Sequence, residues 1–360
     1  MIKFPSIEQF RNVIRNVTHK ARFIGVDETG APKYNPVAPL PTLKYRGTVK
    51  LHGTNAGIVK DLVTSEFTFQ SRERELTLQS DNAGFMLFMS SKIDTLNEII
   101  AEIQALYCLK WDASQTHPVK LVLFGEWCGG NIQSGVAISG LPKMFVIFGV
   151  KAIFGENDSQ WLDLEILNKA ANVDSPEDNI HCILNFPTWN VEIDFEHPEE
   201  IQNKLVDLTI EVETECPVGK AFGNIGIGEG IVWQCVEPGY WSSDYWFKVK
   251  GEKHSASKVK KLASVDVEAI RAVNDFVDAV VTESRLVQGL QNLVREQQKP
   301  FEMTSMGDFI RWVFNDVVKE ETDTIVASQL DPKKIGGPIS NKARKWYIEK
   351  LNEGYVVDNT

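Results

Sequence analysis

The stretch Thr48-Val-Lys-Leu-His-Gly-Thr-Asn-Ala-Gly57 ("TVKLHGTNAG") ends an apolar, β-branched run on a lysine and follows it with histidine and glycine. The run predicts a strand. Gly53 predicts a tight turn or a close backbone approach just beyond it. A lysine there is ordinarily a half-exposed strand residue. It becomes a nucleophile only when its amine is neutral, which desolvation or neighbouring cations favour. On its own this stretch favours the ordinary reading, so the rest of the chain has to decide the matter.

Working outward, the first 250 or so residues alternate short β-type runs with helical patches. "YRGTVKLHG", "SEFTFQSRE", "VKLVLFGEWCGG", "KMFVIFGVKAIFG", "GIVWQCV" and "YWFKVKG" are rich in β-branched and aromatic residues and bounded by turn formers. "SIEQFRNVIRNV" and residues 92–107, with apolar residues at three-to-four spacing, read as helices. The mixture predicts an α+β domain of antiparallel sheets. From about residue 256 the texture becomes helical: Ile270 to Val281, "ESRLVQGLQNLVREQ", "SMGDFIRWVFNDVVKE" with a capping-box-like Ser305 and Asp308, and "SNKARKWYIEKLNE" after a Gly-Gly-Pro break. The expected division is residues 1–255 and an all-helical domain of residues 256–360.

Composition excludes several classes. Hydrophobic residues make up 43% and charged residues 24%, as in globular proteins and unlike disordered or fibrous ones. No apolar run is long enough to span a bilayer, and the N-terminus lacks the pattern of a secretory signal, so a cytoplasmic protein without a membrane partner is expected. Five scattered cysteines with no CxxC pair predict reduced thiols; Cys128 and Cys235 read as core. A net charge of −11 argues against polyanion binding. Against it stand residues 248–261, with six lysines, and residues 333–345, with four lysines and an arginine. Charge alone favours solvated surface runs for both.

The company of Lys50 changes its odds. Arg72 ends a strand, where it could hold a phosphate. Glu126 lies inside an apolar strand and is followed by two glycines; a carboxylate there needs a hydrogen bond, a cation or a hydroxyl. "FVIFGV" offers Phe148 as a ring that could stack on a base, although core packing is the commoner use. Glu229 is flanked by glycines and suited to magnesium near phosphates. Lys248 and Lys250, two apart on one strand, share a face; beside Lys50 they would favour its neutral form and neutralise a triphosphate. His117, His181 and His197 read as loop histidines. "GNIGIGEG" reads as a flexible lead into Glu229, not a phosphate loop. Trp233, Trp241 and Trp246 read as packing residues.

In this order the segments resemble the covalent nucleotidyltransferase superfamily, most closely the RNA ligase 2 family of bacteriophages and their RNA-editing relatives. That family has K-x-H-G-T-N as its first motif, here Lys50 to Asn55, where DNA ligases and capping enzymes carry aspartate in place of His52. The resemblance spans roughly residues 45–251 and implies a nucleotidyltransferase domain followed by a small helical one. It implies that Lys50 attacks the α-phosphate of ATP to form lysyl-AMP, with Val49 and Leu51 lining the nucleotide beside it. Arg72 would contact the nucleotide and the RNA 3′-end, Glu126 the ribose, and Phe148 the adenine. Glu229 would serve metal and phosphate chemistry, and Lys248 and Lys250 the α-phosphate. His52 and Asn55 would act after self-adenylylation. One position departs from the pattern: Gln234 stands where the family usually has a phosphate-contacting lysine.

The implied activity is ATP- and Mg²⁺-dependent ligation by a monomer. Its partner would be RNA, as a nicked duplex or an RNA–DNA hybrid. The alternatives are a DNA ligase, a GTP-using capping-type enzyme, or an inert nucleic-acid-binding relative. His52, and the lack of a β-rich C-terminal region like an OB domain, favour the RNA ligase.

Overall fold

Strand β3 (Thr42–Lys50) shows how the chain builds its sheets. Leu43, Tyr45, Gly47 and Val49 are buried on one face, while Lys44, Arg46 and Lys50 on the other are exposed or half-buried, the period-two signature of a strand. The computed structural model describes residues 1–110, 117–130, 132–251, 273–327 and 330–355. Its contacts gather it into two units, Met1–Val249 and Lys250–Asn359.

The first unit opens with α1 (Phe10–Arg22), then β1 (Phe23–Val26), β2 (Pro32–Tyr34) and β3. It continues through β4 (Thr54–Asp61), β5 (Phe67–Ser71), α2 (Phe85–Ser90), α3 (Ile93–Lys110), β6 (Lys120–Cys128), β7 (Met144–Ile153) and β8 (Ser159–Trp161). After α4 (Glu165–Lys169) come β9 (Ile180–Cys182), β10 (Thr188–Asp194), α5 (Gln202–Thr214), α6 (Pro217–Ala221), β11 (Gly230–Cys235) and β12 (Phe247–Lys250). A hairpin of β1 and β2 accompanies two main sheets. The four-stranded sheet has the order β10-β3-β11-β12, and the larger one β5-β4-β6-β7-β8, with β9 added parallel to β7. The pairs β1–β2, β10–β3, β3–β11, β4–β5, β4–β6, β6–β7 and β7–β8 are antiparallel.

The larger sheet buries one face in an apolar core that includes Ile58, Leu121, Leu123, Phe145 and Ile147, completed by Leu96, Ile99 and Ile103 of α3. Its other face carries a smaller cluster of Val59, Val122, Phe124, Trp161 and Trp246, with Phe4 and Phe148 packed against it. The four-stranded sheet buries Tyr45, Trp233 and Phe247 on its outer face, where α1 adds Phe10. Trp246 joins the inter-sheet cluster and Trp233 the outer core, so both are packing residues. Cys128 and Cys235 are buried likewise.

The second unit contains α7 (Val273–Val280), α8 (Glu283–Gln291), α9 (Met306–Ala327) and α10 (Pro332–Asn352). They share a core of Phe276, Val280, Leu286, Phe309, Val313, Ile335, Ile339 and Tyr347, among others. Three sequence expectations change here or nearby. The Gly-Gly-Pro break is no break: α10 runs through Pro338. Ile335, Ile339, Ala343 and Tyr347 recur every four residues and are all fully buried, so packing outweighs the hydrogen bond the proline forgoes. The carboxylate of Asp308 goes to Lys299 and Arg311, not to a cap. His181 lies in β9 and is buried beside Asp174, not in a loop. Most of the basic run 248–261, and Ile270, fall outside the described residues. In residues 333–345, Lys342 and Lys345 pair with Asp278 and Glu349.

Candidate active site

The three residues after β3 carry the chain from one main sheet to the other. Lys50 ends β3, and β4 begins at Thr54 in the larger sheet. Between them Gly53 lies so close to β6 that a Cβ would stand 2.3 Å from the carbonyl oxygen of Trp127 and 2.7 Å from Cβ of Cys128. No larger residue fits without moving the strand. Gly53 N–H donates to Oε1 of Glu126 at 3.0 Å. The glycine thus ties the lysine-bearing strand to the acid-bearing one.

Glu229 arrives from the other side. It immediately precedes β11, whose first residue, Gly230, pairs with Lys50 in register. Gly228 bonds the carbonyl of Val212 in α5, and a Cβ there would come within 2.6 Å of that same oxygen. Gly230 adopts φ +150°, a conformation natural only to glycine. The two glycines seat the acid against the end of β3. Lys50 Nζ donates to Glu229 Oε2 at 2.6 Å, and His52 Nδ1 lies 3.2 Å from the same oxygen. Lys50 keeps 20% of its side chain exposed, whereas Glu229 keeps 2%. The buried acid therefore presents the amine to an accessible side.

Glu126 is the second carboxylate. Burial among protein atoms pushes its pKa up to about 7, opposed by the charge of Lys50, raised further by Glu229, and lowered by the Gly53 N–H and Arg72. Asn55 pairs with Glu126 across β4 and β6, so the two share a sheet face. Phe148 lies on β7 two residues beyond Val146, the partner of Glu126. It is half-buried, with its ring edge-on to Phe4 at 5.3 Å. Arg72 stands just past β5 and donates to Ser6 Oγ at 3.0 Å.

Lys248 is half-buried on β12, on the face opposite the buried Phe247 and Val249, and Lys250 shares its strand face as the first residue of the second unit. Val49 and Leu51 are 3% and 5% exposed, and Val49 shares the buried face of β3 with Leu43 and Tyr45, opposite Lys50. Gln234, the departure from the motif, is buried and reaches the carbonyl of Phe148 at 3.5 Å.

The structure thus brings Lys50, His52, Glu229 and Glu126 into one constellation, with Asn55 and Arg72 at its edge. It adds residues that sequence reasoning passed over. Val232 shares the sheet face of Lys50 by the register of β3 and β11, whereas Arg46, further along that face, is committed to Glu165. An unbroken apolar run such as "GIVWQC" does not reveal which residues face a cleft. Phe4 and Ser6 come from an N-terminal stretch with no periodicity.

Magnesium usually takes one or two carboxylates and completes its shell with phosphate oxygens and water. Among the described residues no group of three or more His, Cys, Asp or Glu forms a cage. Glu229, coupled to Glu126, fits the few-carboxylate pattern. Among the described residues no helix is long and apolar enough to cross a membrane.

Among solved structures, the chain is similar to Naegleria gruberi RNA ligase with pyrophosphate, at 17% identity and a TM-score of 0.40, over 70% of this chain and 56% of that one. A lysine-to-alanine mutant of that enzyme with ATP and manganese matches at 15% identity and 0.41, over 70% and 57%. The chain therefore spans little more than half the length of that ligase. No curated protein matches the sequence. A model of the RNA ligase family matches residues 43–250, more than half of the chain and the whole stretch from β3 to β12 on which Lys50, Glu126, Glu229 and Lys248 lie, so the chain belongs to the RNA ligase family.

Proposed function

We propose that this protein is an ATP-dependent RNA ligase that joins 3′-hydroxyl to 5′-phosphate ends, in nicked duplex RNA or an RNA–DNA hybrid, through a lysyl-AMP on Lys50. The observation that carries the reading is the single buried carboxylate that holds both Lys50 and His52, in a chain of the RNA ligase family.

In the first step Lys50 gives up its ammonium proton, for which Glu229 is the acceptor in reach. Nζ then forms a bond to the α-phosphorus of ATP as the bond to pyrophosphate breaks, the leaving group taking the electron pair. Magnesium, when bound, neutralises phosphate charge. Lys248 and Lys250 serve the same end from β12, and Arg72 from beyond β5. Glu126 orients the ribose; as an acid near neutrality it can donate to or accept from a hydroxyl. Phe148 stacks on the base.

In the second step the 5′-phosphate of the RNA attacks the same phosphorus and the amine leaves. His52 and Asn55 act here, with His52 placed by Glu229 to manage the proton that returns to Nζ. In the third step the 3′-hydroxyl attacks the activated 5′-phosphate and AMP departs. Protein positioning and charge neutralisation carry much of the rate, because no covalent chemistry beyond Lys50 is asked of the side chains.

The test is a labelling reaction with Mg²⁺ and ATP or GTP carrying a labelled α-phosphate, resolved on a denaturing gel. A band with ATP that disappears in Lys50→Ala supports the ligase reading. A band with GTP alone means a capping-type enzyme, and no band with either means an inert relative. Sealing of nicked RNA, hybrid and DNA duplexes then fixes the substrate.

A further inference from the structure

The N-terminal segment, residues 2–8, does not trail into solvent. It runs along residues assigned above to the nucleotide. Ile2 is clamped in both directions by the buried side-chain amide of Gln70: Ile2 N–H donates to Oε1 at 2.9 Å, and Nε2 donates back to the Ile2 carbonyl. Phe4 sets its ring against three others, Phe124 at 5.2 Å, Phe148 at 5.3 Å and Trp161 at 5.8 Å. Ser6 Oγ accepts from Arg72 at 3.0 Å. Glu8 forms a parallel bridge with Phe247, and its carbonyl accepts from the backbone N–H of Lys248 at 3.1 Å. One short segment thus touches Phe148, Arg72 and Lys248, and it links β5 of the larger sheet to β12 of the smaller one.

We infer that residues 2–8 form a strap that positions the nucleotide-binding side chains, with Phe4 fixing the ring of Phe148 and Ser6 fixing the guanidinium of Arg72. The strap is a set of positioning residues, since it acts through the side chains it holds.

The physical case rests on what each anchor removes. A half-buried phenylalanine at a sheet face has two staggered χ1 wells in common use. Edge-on contact with Phe4 leaves Phe148 one neighbour-filled orientation, so its face is prepared before a base arrives. Arg72 keeps 46% of its side chain exposed, with Glu73 3.9 Å from its Nε, and a long exposed side chain loses rotamer entropy when fixed. The hydroxyl of Ser6 holds it where its charge reaches Glu126. Pre-ordering of this kind lowers the cost of binding more than it changes the bond-making step.

The proposal rests on the ligase reading, and the experiment separates the two. In the full-length protein, single and paired variants Phe4→Ala, Phe148→Ala, Ser6→Ala and Arg72→Ala are compared for self-labelling across ATP concentrations. Melting temperatures confirm folding. Phe4→Ala is expected to raise the ATP concentration for half-maximal labelling about tenfold, and by a larger factor than it lowers the maximal rate. Phe4→Tyr, which keeps the ring, is expected to restore it. Within each pair, Phe4 with Phe148 and Ser6 with Arg72, the double variant is expected to lose far less than the product of the single losses.

Binding of a fluorescent, non-hydrolysable ATP analogue is measured on the same variants, so that a protein that binds but does not label still tests the strap. If wild type labels, but the pairs behave multiplicatively and Phe4→Ala binds the analogue like wild type, the strap has no positioning role and the ligase reading stands. If wild type neither labels nor binds, both fall.

Discussion

Nζ of Lys50 and Oε2 of Glu229 stand 2.6 Å apart although 179 residues separate them in the chain. The contact follows from register. Lys50 pairs with Gly230, so the residue before β11 meets the end of β3. The carboxylate is 2% exposed and shared by two nitrogen groups, the Lys50 amine and the His52 ring. Glu229→Gln keeps the shape and removes the charge. The expected outcome is a fall in self-adenylylation of about 100-fold or more, in the range for losing a positioned proton acceptor. A rate within threefold of wild type, read from label appearance at saturating ATP, would assign Glu229 a packing role only.

Glu126 gives a pH signature. Its folded-state pKa of about 7 lies above the ordinary value of 4.5. Between those values the folded chain keeps a proton that the unfolded chain has released. Stability therefore falls as pH rises from about 4.5 to about 7, and the loss persists above that window. Glu126→Gln cannot ionise, and its amide oxygen can still accept from Gly53. Relative to wild type, the variant should be more stable at pH 8 than at pH 4. Urea unfolding at both pH values measures the difference, and a variant–wild-type gap that does not change with pH contradicts it.

The strands β3, β6, β7, β11 and β12 were legible because each carries a β-branched or aromatic run bounded by turn residues. So were the acids at 126 and 229, which stand out as charges inside apolar runs. The strand β10 was passed over, although "TWNVEID" alternates Trp189, Val191 and Ile193 with polar residues in the pattern of a half-buried strand. The pairing of β9 with β7 comes from tertiary contact across 35 positions, Phe145 with Ile180, which no local pattern encodes. Phe4 and Ser6 hid for another reason. "MIKFPSIE" has neither helical nor strand periodicity, and its contacts are with residues more than 60 positions away. Which face of "GIVWQC" would meet Lys50 depended on register, and register is set by pairing.

Gly53 offers a steric test of the link between the sheets. A methyl group there would stand 2.3 Å from the Trp127 carbonyl oxygen, 2.7 Å from Cβ and 3.0 Å from Cα of Cys128, none of them the far end of a flexible side chain. Gly53→Ala should therefore destabilise the first unit by about 1–3 kcal/mol, the usual range for overpacking. It should also shift Lys50 relative to Glu126, because the Gly53 N–H is what ties the two strands. The expected readout is a melting temperature lower by several degrees together with reduced labelling. Wild-type values for both would mean the β3–β4 link is looser than this geometry.

In the second unit, Arg285 has a fully buried side chain. It donates to Asp316 at 2.8 Å, to Glu321 at 3.4 Å and to the carbonyl of Val280. Glu321 is itself buried and sits at a non-helical residue inside α9, with φ −116° and ψ 15°. Removing the guanidinium takes away the buried cation that both acids share. Breaking a buried pair this way costs about 3–5 kcal/mol. Arg285→Ala should therefore unfold the helical unit at a lower temperature, as a separate early transition in calorimetry. Lys50, His52, Glu126, Glu229 and Lys248 all belong to the first unit. Below that early transition the variant should still take label from ATP on Lys50, while a variant that melts in one step and loses labelling at the same temperature would show that the two units fold as one.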